Sequence, residues 1–147
     1  MSEAEEKLDV AEAIARLNKA LALQYRSALQ YTLLSGGMTG FPYQALRAPL
    51  AESALEELRD ALLLVEKITA LGGDPTTDVA PLRWDTDPER VIDRLTEDEG
   101  EAIEALQAAI EPTGRDGVSE ALEHLLEHLI LRKQRQVDML LRARRSP

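Results

Sequence analysis

The chain of 147 residues contains no cysteine, and aromatic residues make up only 3% of it. The absence of cysteine excludes a disulfide framework, a thiolate metal site and a thiol redox motif. No apolar run approaches the roughly 20 residues that a membrane-spanning helix needs. The first ten residues, MSEAEEKLDV, lack the basic-then-apolar order of a signal peptide. We therefore expect a cytoplasmic protein that has no membrane partner.

Positive charge is also scarce, because 27 acidic residues stand against 17 lysines and arginines and give a formal net charge of −10. A basic run occurs only in the last turn, at Arg142, Arg144 and Arg145, which argues against a nucleic-acid partner. The composition is instead rich in Ala, Leu, Glu and Arg, which favour helices. The length suits one domain that extends over residues 1–147.

Apolar residues recur at helical spacing in four segments, which predicts an all-α four-helix bundle. The predicted helices are residues 4–35, 43–71, 88–111 and 118–143, with bounds that are approximate. Glycine pairs end the first two helices, and Asp87-Pro88 provides a strong start for the third.

The connection between the second and third helices, residues 72–87, is unusually long for a compact domain. At roughly 3.3 Å per residue it can travel roughly 50 Å, which exceeds the roughly 42 Å length of a 28-residue helix. It can therefore run along the whole bundle as a crossover. We expect Leu82 and Trp84 to hold it to the helices.

Each predicted helix carries polar residues in its inward apolar seam, near the middle of its length. The set consists of Gln24 in the first helix, Glu57 and Asp60 in the second, Glu99 in the third, and Lys133 and Gln136 in the fourth. A bundle would bring all six to one buried level. The distribution is that of carboxylate-bridged di-metal bundles, but three acids, two amides and one ammonium are not the ligands of such a centre.

At these residues the chain resembles bacterioferritin, within the ferritin-like superfamily. The resemblance lies in LNKALALQYRSALQY, in ESALEELRDALLLVEKITALGGDP with the crossover that follows, and in LQAAI and QVDMLL. It covers nearly the whole chain. It implies a ferritin-like four-helix bundle whose relatives store iron and oxidise ferrous ion at a di-iron centre.

Carried over position by position, the resemblance puts the family's metal ligands on the six seam residues. The single glutamates of the first and third helices fall on Gln24 and Glu99. The two Glu-x-x-His pairs fall on Glu57 with Asp60 and on Lys133 with Gln136. Tyr31 matches a tyrosine beside the centre, and the haem-ligating methionine position is Leu58.

Two interpretations of this set remain open. In the first, Lys133 neutralises Glu57 or Glu99, and Gln24 and Gln136 satisfy the remaining lone pairs of a metal-free network. We then expect no cofactor and no ferroxidase activity, because Gln24, Lys133 and Gln136 stand at ligand positions. In the alternative, Glu57, Asp60 and Glu99 retain a reduced site that weakly binds iron or another divalent cation.

Outer leucines of the first two helices, such as Leu23 and Leu55, would leave an apolar patch on a monomer. The resemblance implies that subunits pair along these two helices. We therefore expect a homodimer, with a higher assembly left open, and an intact bacterioferritin-like paralogue as a further candidate partner. The corresponding function is a structural scaffold or an accessory subunit in iron handling, and the alternative is iron binding and storage.

The segment from His124 to His128 fits the H-x-x-E-H zinc pattern, with two imidazoles one helical turn apart. A protease of that class needs a larger chain and a further acidic ligand. The apolar seam of the fourth helix puts both histidines on a flank, away from the six polar residues. We predict an exposed or interface face, with adventitious zinc or nickel binding as the alternative.

Overall fold

The computed structural model describes residues 7–145 and contains four long helices. They are α1 (Val10–Gly37), α2 (Arg47–Ala70), α3 (Pro88–Ala108) and α4 (Gly117–Arg144). α1 packs against both α2 and α3, and α4 packs mainly against α3. The predicted all-α four-helix bundle, with its long crossover between the second and third helices, is confirmed. No helix within the described range is long and apolar enough to cross a membrane.

Three helices begin at an aspartate whose carboxylate accepts a hydrogen bond from an N–H group of the first turn. These residues are Asp9 ahead of α1, Asp87 ahead of α3 and Asp116 ahead of α4. Such caps satisfy N–H groups that have no partner within the helix. Because Asp9 is a cap, α1 begins at Val10, whereas we predicted a start near residue 4; residues 4–6 lie outside the described part.

The second helix begins later than its predicted start near Tyr43. A short 3-10 helix, Phe41–Leu46, occupies the preceding residues, and α2 then starts at Arg47. Pro49 is the third residue of α2, where its missing N–H interrupts no helical hydrogen bond. After α2, Gly72 has a φ of 88°, a backbone conformation that favours glycine.

Two apolar clusters fill the bundle, one on each side of a polar layer. The larger cluster includes Leu17, Leu21, Leu64, Leu106, Leu122 and Leu126. The smaller cluster includes Tyr31, Leu34, Leu50, Ile92, Leu95 and Leu140. On each helix the polar residues of the inward seam fall between these two sets. The polar layer is therefore enclosed by apolar packing along the axis of the bundle.

Several leucines remain exposed on the outer faces of α1 and α2. They are Leu29 and Leu33 of α1 and Leu55, Leu58 and Leu62 of α2, with exposed fractions from 40% to 59%. Leu23, which we predicted on this outer face, is only 6% exposed. That prediction is wrong because Leu23 packs into the larger apolar cluster.

Two side-chain amides of α1 hold the crossover in place, and each makes two hydrogen bonds with its backbone. Asn18 donates to the carbonyl of Asp74 at 3.0 Å and accepts from the N–H of Thr76 at 2.8 Å. Gln30 donates to the carbonyl of Arg83 at 3.0 Å and accepts from the N–H of the same residue at 3.3 Å. These bonds satisfy backbone groups of a segment that has no regular structure to pair them.

The apolar residues of the crossover contribute less than we predicted. Leu82 is 44% exposed and belongs to neither apolar cluster, so it does not hold the segment down. Trp84 is 47% exposed, but its ring lies against Gly37 and leaves no room for a Cβ atom there. Asn18 and Gln30 therefore hold the crossover through polar contacts that we did not predict.

Candidate functional site

The six polar residues of the inward seams are all buried, each with an exposed fraction of 6% or less. They are Gln24, Glu57, Asp60, Glu99, Lys133 and Gln136. Four of them form a central cluster around the ammonium group of Lys133. Asp60 and Gln136 lie beside that cluster and make no hydrogen bond to Lys133 among the described residues.

Lys133 connects α4 to the carboxylates of α2 and α3. Its Nζ donates to Glu57 Oε2 at 2.8 Å and lies 3.3 and 3.4 Å from the two carboxylate oxygens of Glu99. A third contact joins Nζ to the hydroxyl of Ser27 at 3.3 Å. The three available donor positions of a lysine ammonium are therefore directed at three residues of three other helices.

The α1 helix supplies three donors to the same two carboxylates. Gln24 Nε2 donates to the backbone carbonyl of Glu57 at 2.8 Å and also to the Oε2 atom of that residue. Ser27 donates to Glu99 Oε1 at 2.5 Å, and the hydroxyl of Tyr31 donates to Glu99 Oε2 at 3.4 Å. Gln24, Ser27 and Tyr31 are spaced by three and four residues, which puts them on one face of the helix.

Asp60 and Gln136 have different surroundings from the central cluster. Asp60 forms an ion pair with Arg132, whose side chain is 29% exposed. Gln136 is 6% exposed, and neither its amide nitrogen nor its amide oxygen bonds to any residue of the described range. The Oε1 atoms of Gln24 and Glu57 are likewise buried without a hydrogen-bond partner in that range.

Charge balance in the central cluster requires a proton, because two carboxylates face one ammonium. Burial raises the pKa of Glu57 from 4.5 to about 8; the charges of Glu99 and Asp60 add to this rise, and Lys133 opposes it. Glu57 is therefore protonated at neutral pH. That proton removes one of the two negative charges that would otherwise face the single ammonium of Lys133.

The same effects act on the other ionisable groups of the layer. Burial alone would lower the pKa of Lys133, but Glu99 and Glu57 outweigh it and raise that pKa above its ordinary value. Burial raises the pKa of Asp60 to about 6 against the opposing charge of Arg132. Burial and the neighbouring carboxylates raise the pKa of the Tyr31 hydroxyl well above its usual range. Lys133 is therefore charged and Tyr31 neutral at physiological pH.

These residues do not fit a pair of iron ions. Iron centres of this kind take carboxylates and imidazoles as ligands, whereas the centre of this layer holds an ammonium that has no lone pair to offer. The carboxylate of Asp60 is engaged by Arg132. Within residues 7–145, no three side chains of His, Cys, Asp or Glu are grouped so that they could hold a metal ion.

Two members of the layer were missed by sequence reasoning. Ser27 lies three residues after Gln24, and this spacing could have identified it as a donor on the same face of α1. Arg132 is next to Lys133 in the sequence and lies on the flank of α4, so no seam position pointed to it. Three acids of the layer stand against one lysine, and the ion pair of Arg132 with Asp60 balances one of these acids.

Other residues that the sequence singled out lie away from the layer. His124 and His128 are exposed on α4, as we predicted. Leu58, at the position of the haem-ligating methionine of the resemblance, is 58% exposed on the outer face of α2.

The raised pKa of Glu57 predicts that stability falls as the pH rises from about 4.5 to about 8. In this window the folded state retains a proton that the unfolded chain has released, so a higher pH favours unfolding. Asp60 acts in the same direction between about 4 and about 6. We expect Glu57→Gln, which imitates the protonated acid, to remove most of the decline above pH 6 in urea unfolding curves.

The matched control is Glu56→Gln, which removes a carboxylate from an exposed position one residue earlier on α2. The control should keep the decline of the unchanged protein above pH 6, since the charge of Glu56 contributes only to the pKa of Asp60, which is about 6. A decline of equal slope in Glu57→Gln and in the unchanged protein would show that Glu57 is ionised in the folded state.

Comparison with known proteins places this geometry in a family. The family model described as a ferritin-like domain matches residues 14–143. A ferritin-like, di-iron-carboxylate protein from Bacillus anthracis strain Ames is similar over 98% of this chain and 99% of its own, with 26% identity and a TM-score of 0.82. No curated protein gives a significant match in a sequence search.

A second solved structure supports the fold alone. It is a bacterioferritin from Rhodobacter capsulatus, described with a metal-free dinuclear site and haem iron. It has 22% identity and a TM-score of 0.74 over 91% of this chain and 83% of its own. Because the family model covers most of the sequence and the helices have the same arrangement, the chain belongs to the ferritin-like domain family.

Proposed function

We propose that this ferritin-like chain has lost di-iron ferroxidase activity and that the Lys133 ammonium replaces the metal ions. The observation that carries the proposal is the position of Nζ, 2.8 Å from Glu57 Oε2 and 3.3 Å from Glu99 Oε1. By the resemblance to bacterioferritin, these two glutamates stand at ligand positions. An incoming cation would have to displace a fixed positive charge from both of them.

The other ligand positions support the same conclusion. Gln24 and Gln136 provide neutral amides, which are poorer ligands for iron than the carboxylate and imidazole that the resemblance expects there. Asp60 keeps a carboxylate, but Arg132 competes for it. The buried layer thus holds positively charged side chains where a ferroxidase would bind iron ions.

The corresponding function is that of a structural or oligomeric scaffold, or of an accessory subunit in iron handling in the cytoplasm. What supports it is a bundle that stays intact around a layer without suitable ligands. An intact bacterioferritin-like paralogue is the partner that this role implies. Haem is not expected, because Leu58 offers no thioether at the methionine position.

The alternative function is iron binding or storage through a reduced site at Glu57, Asp60 and Glu99. The observation in its favour is that the buried Glu57 Oε1 has no hydrogen-bond partner in the described range. Against it, Asp60 is paired with Arg132 and Glu99 with Lys133. Iron recovered in stoichiometric amount from this layer would favour the alternative.

We predict that the unchanged protein oxidises ferrous ion no faster than buffer, and that Lys133→Glu with Gln136→His gains ferrous binding. The double change removes the internal cation and supplies a carboxylate and an imidazole at the two positions that lack them. Binding is measured by anaerobic titration, with circular dichroism to verify that the bundle is folded.

The matched control carries the same two changes at exposed positions, Lys19→Glu on α1 with Gln107→His on α3. It should gain no buried site. A folded double variant of the layer that binds no more iron than this control would count against the proposal, as would rapid ferrous oxidation by the unchanged protein.

We also propose that two copies pair through the outer faces of α1 and α2. The support is the apolar surface described above, where Leu55, Leu58 and Leu62 follow one face of α2 with more than half of each side chain exposed. A contiguous apolar surface of this kind is typical of an interface between subunits. A two-fold axis along these helices would bring each leucine face onto its own copy.

We predict that Leu58→Arg dissociates the dimer, because the substitution would bury an unpaired charge at the centre of the leucine face. Sedimentation velocity measures the mass before and after the change. Leu131→Arg is the control, since Leu131 is 50% exposed on α4, away from the proposed interface. An unchanged mass for Leu58→Arg, or an equal loss for both variants, would contradict this interface.

A further inference from the structure

The outer surface of α4 carries the only two histidines of the chain, His124 and His128. They are four residues apart within one uninterrupted helix, Gly117–Arg144, and both are exposed. Residues at this spacing share a helix face, with their Cβ atoms roughly 5–6 Å apart. Two imidazoles can therefore approach one point in front of the helix, as they do in helical zinc motifs.

The imidazole nitrogens of both residues are available. Neither histidine makes a hydrogen bond or an ion pair with another residue in the described range; the charge of Asp60 is the one electrostatic partner of His128 there. This availability distinguishes the pair from a structural histidine, whose ring nitrogens are used by its neighbours.

The negative charges near the two histidines favour the binding of a cation. Glu120 lies four residues before His124, Glu127 three residues after it, and both are exposed on the same helix. Their carboxylates increase the local attraction for divalent cations and lie within a helical turn of the imidazoles. The nearby arginine, Arg132, is held in its ion pair with Asp60.

We propose that His124 and His128 form a surface site for one divalent transition-metal ion of the zinc, nickel or copper class. The two imidazoles are the protein ligands, and water completes the coordination. Since no group of three His, Cys, Asp or Glu side chains in the described range could hold a metal ion, Glu120 and Glu127 act through their charge only, and the site is open and its ion exchangeable. Hard cations such as calcium, which prefer oxygen ligands, are excluded.

This site uses no residue of the buried layer as a ligand, and it does not rest on the proposed loss of ferroxidase activity. It requires no change in the bundle, because the helix already holds both ligands at the correct spacing. Binding two residues one turn apart also favours the folded state over the unfolded chain, so metal should raise the unfolding temperature.

The test is calorimetric titration of the full chain with zinc chloride, with magnesium or calcium chloride as the hard-cation comparison. We expect one zinc ion per chain and no heat from the hard cations. His124→Ala and His128→Ala should each weaken zinc binding by roughly tenfold or more, since each removes one of two imidazole ligands. Gln134→Ala, an exposed change on the same helix, should leave the affinity unchanged.

NMR spectroscopy provides a second measurement, which observes the two imidazole ligands directly. With only two histidines, the imidazole signals in a proton–nitrogen NMR spectrum are few, and sub-stoichiometric copper should broaden both sets together. The proposal is overturned if His124→Ala and His128→Ala both bind zinc with the affinity of the unchanged chain. It is also overturned if copper broadens one imidazole and not the other, or if the folded chain does not bind zinc.

Discussion

The charges and contacts at the centre of the bundle depend on one buried cation. Lys133 is 1% exposed and sits between two carboxylates that are themselves inaccessible to solvent. Removing a charged ammonium from water is unfavourable by several kcal/mol unless opposite charges and hydrogen bonds replace the solvent. Glu57, Glu99 and Ser27 provide these replacements from three other helices, so the lysine couples all four helices at one level.

The charges of the layer follow from this constraint. One lysine can balance one carboxylate, so the second glutamate takes up a proton, and burial gives it a pKa of about 8. The third acid, Asp60, is balanced separately by Arg132 at the edge of the layer. Such a network need not add net stability, because well-packed apolar residues of similar volume often stabilise a core equally well. The apolar clusters on either side, rather than the layer, supply the main stabilisation.

The sequence predicted the features that follow a helical period. It missed the contacts that depend on how a side chain turns from the flank of a helix, and those made by irregular backbone. The helical period located the four helices and the six buried polar residues, because a polar residue at an apolar seam position interrupts the pattern. It could not show that Arg132 turns toward Asp60 from the flank of α4. It also placed Leu23 outside, since a period gives the direction of one face but not how many neighbours surround a helix. The contacts of Asn18 and Gln30 with the crossover could not be predicted, because that segment has no period.

The most direct test of the central claim is a crystal structure of the protein purified from iron-supplemented cells, with diffraction data collected above the iron absorption edge. The account predicts continuous density for Lys133 between Glu57 and Glu99 and no anomalous peak in the layer. An anomalous peak bridging the two glutamates, with the lysine side chain turned away from them, would contradict it.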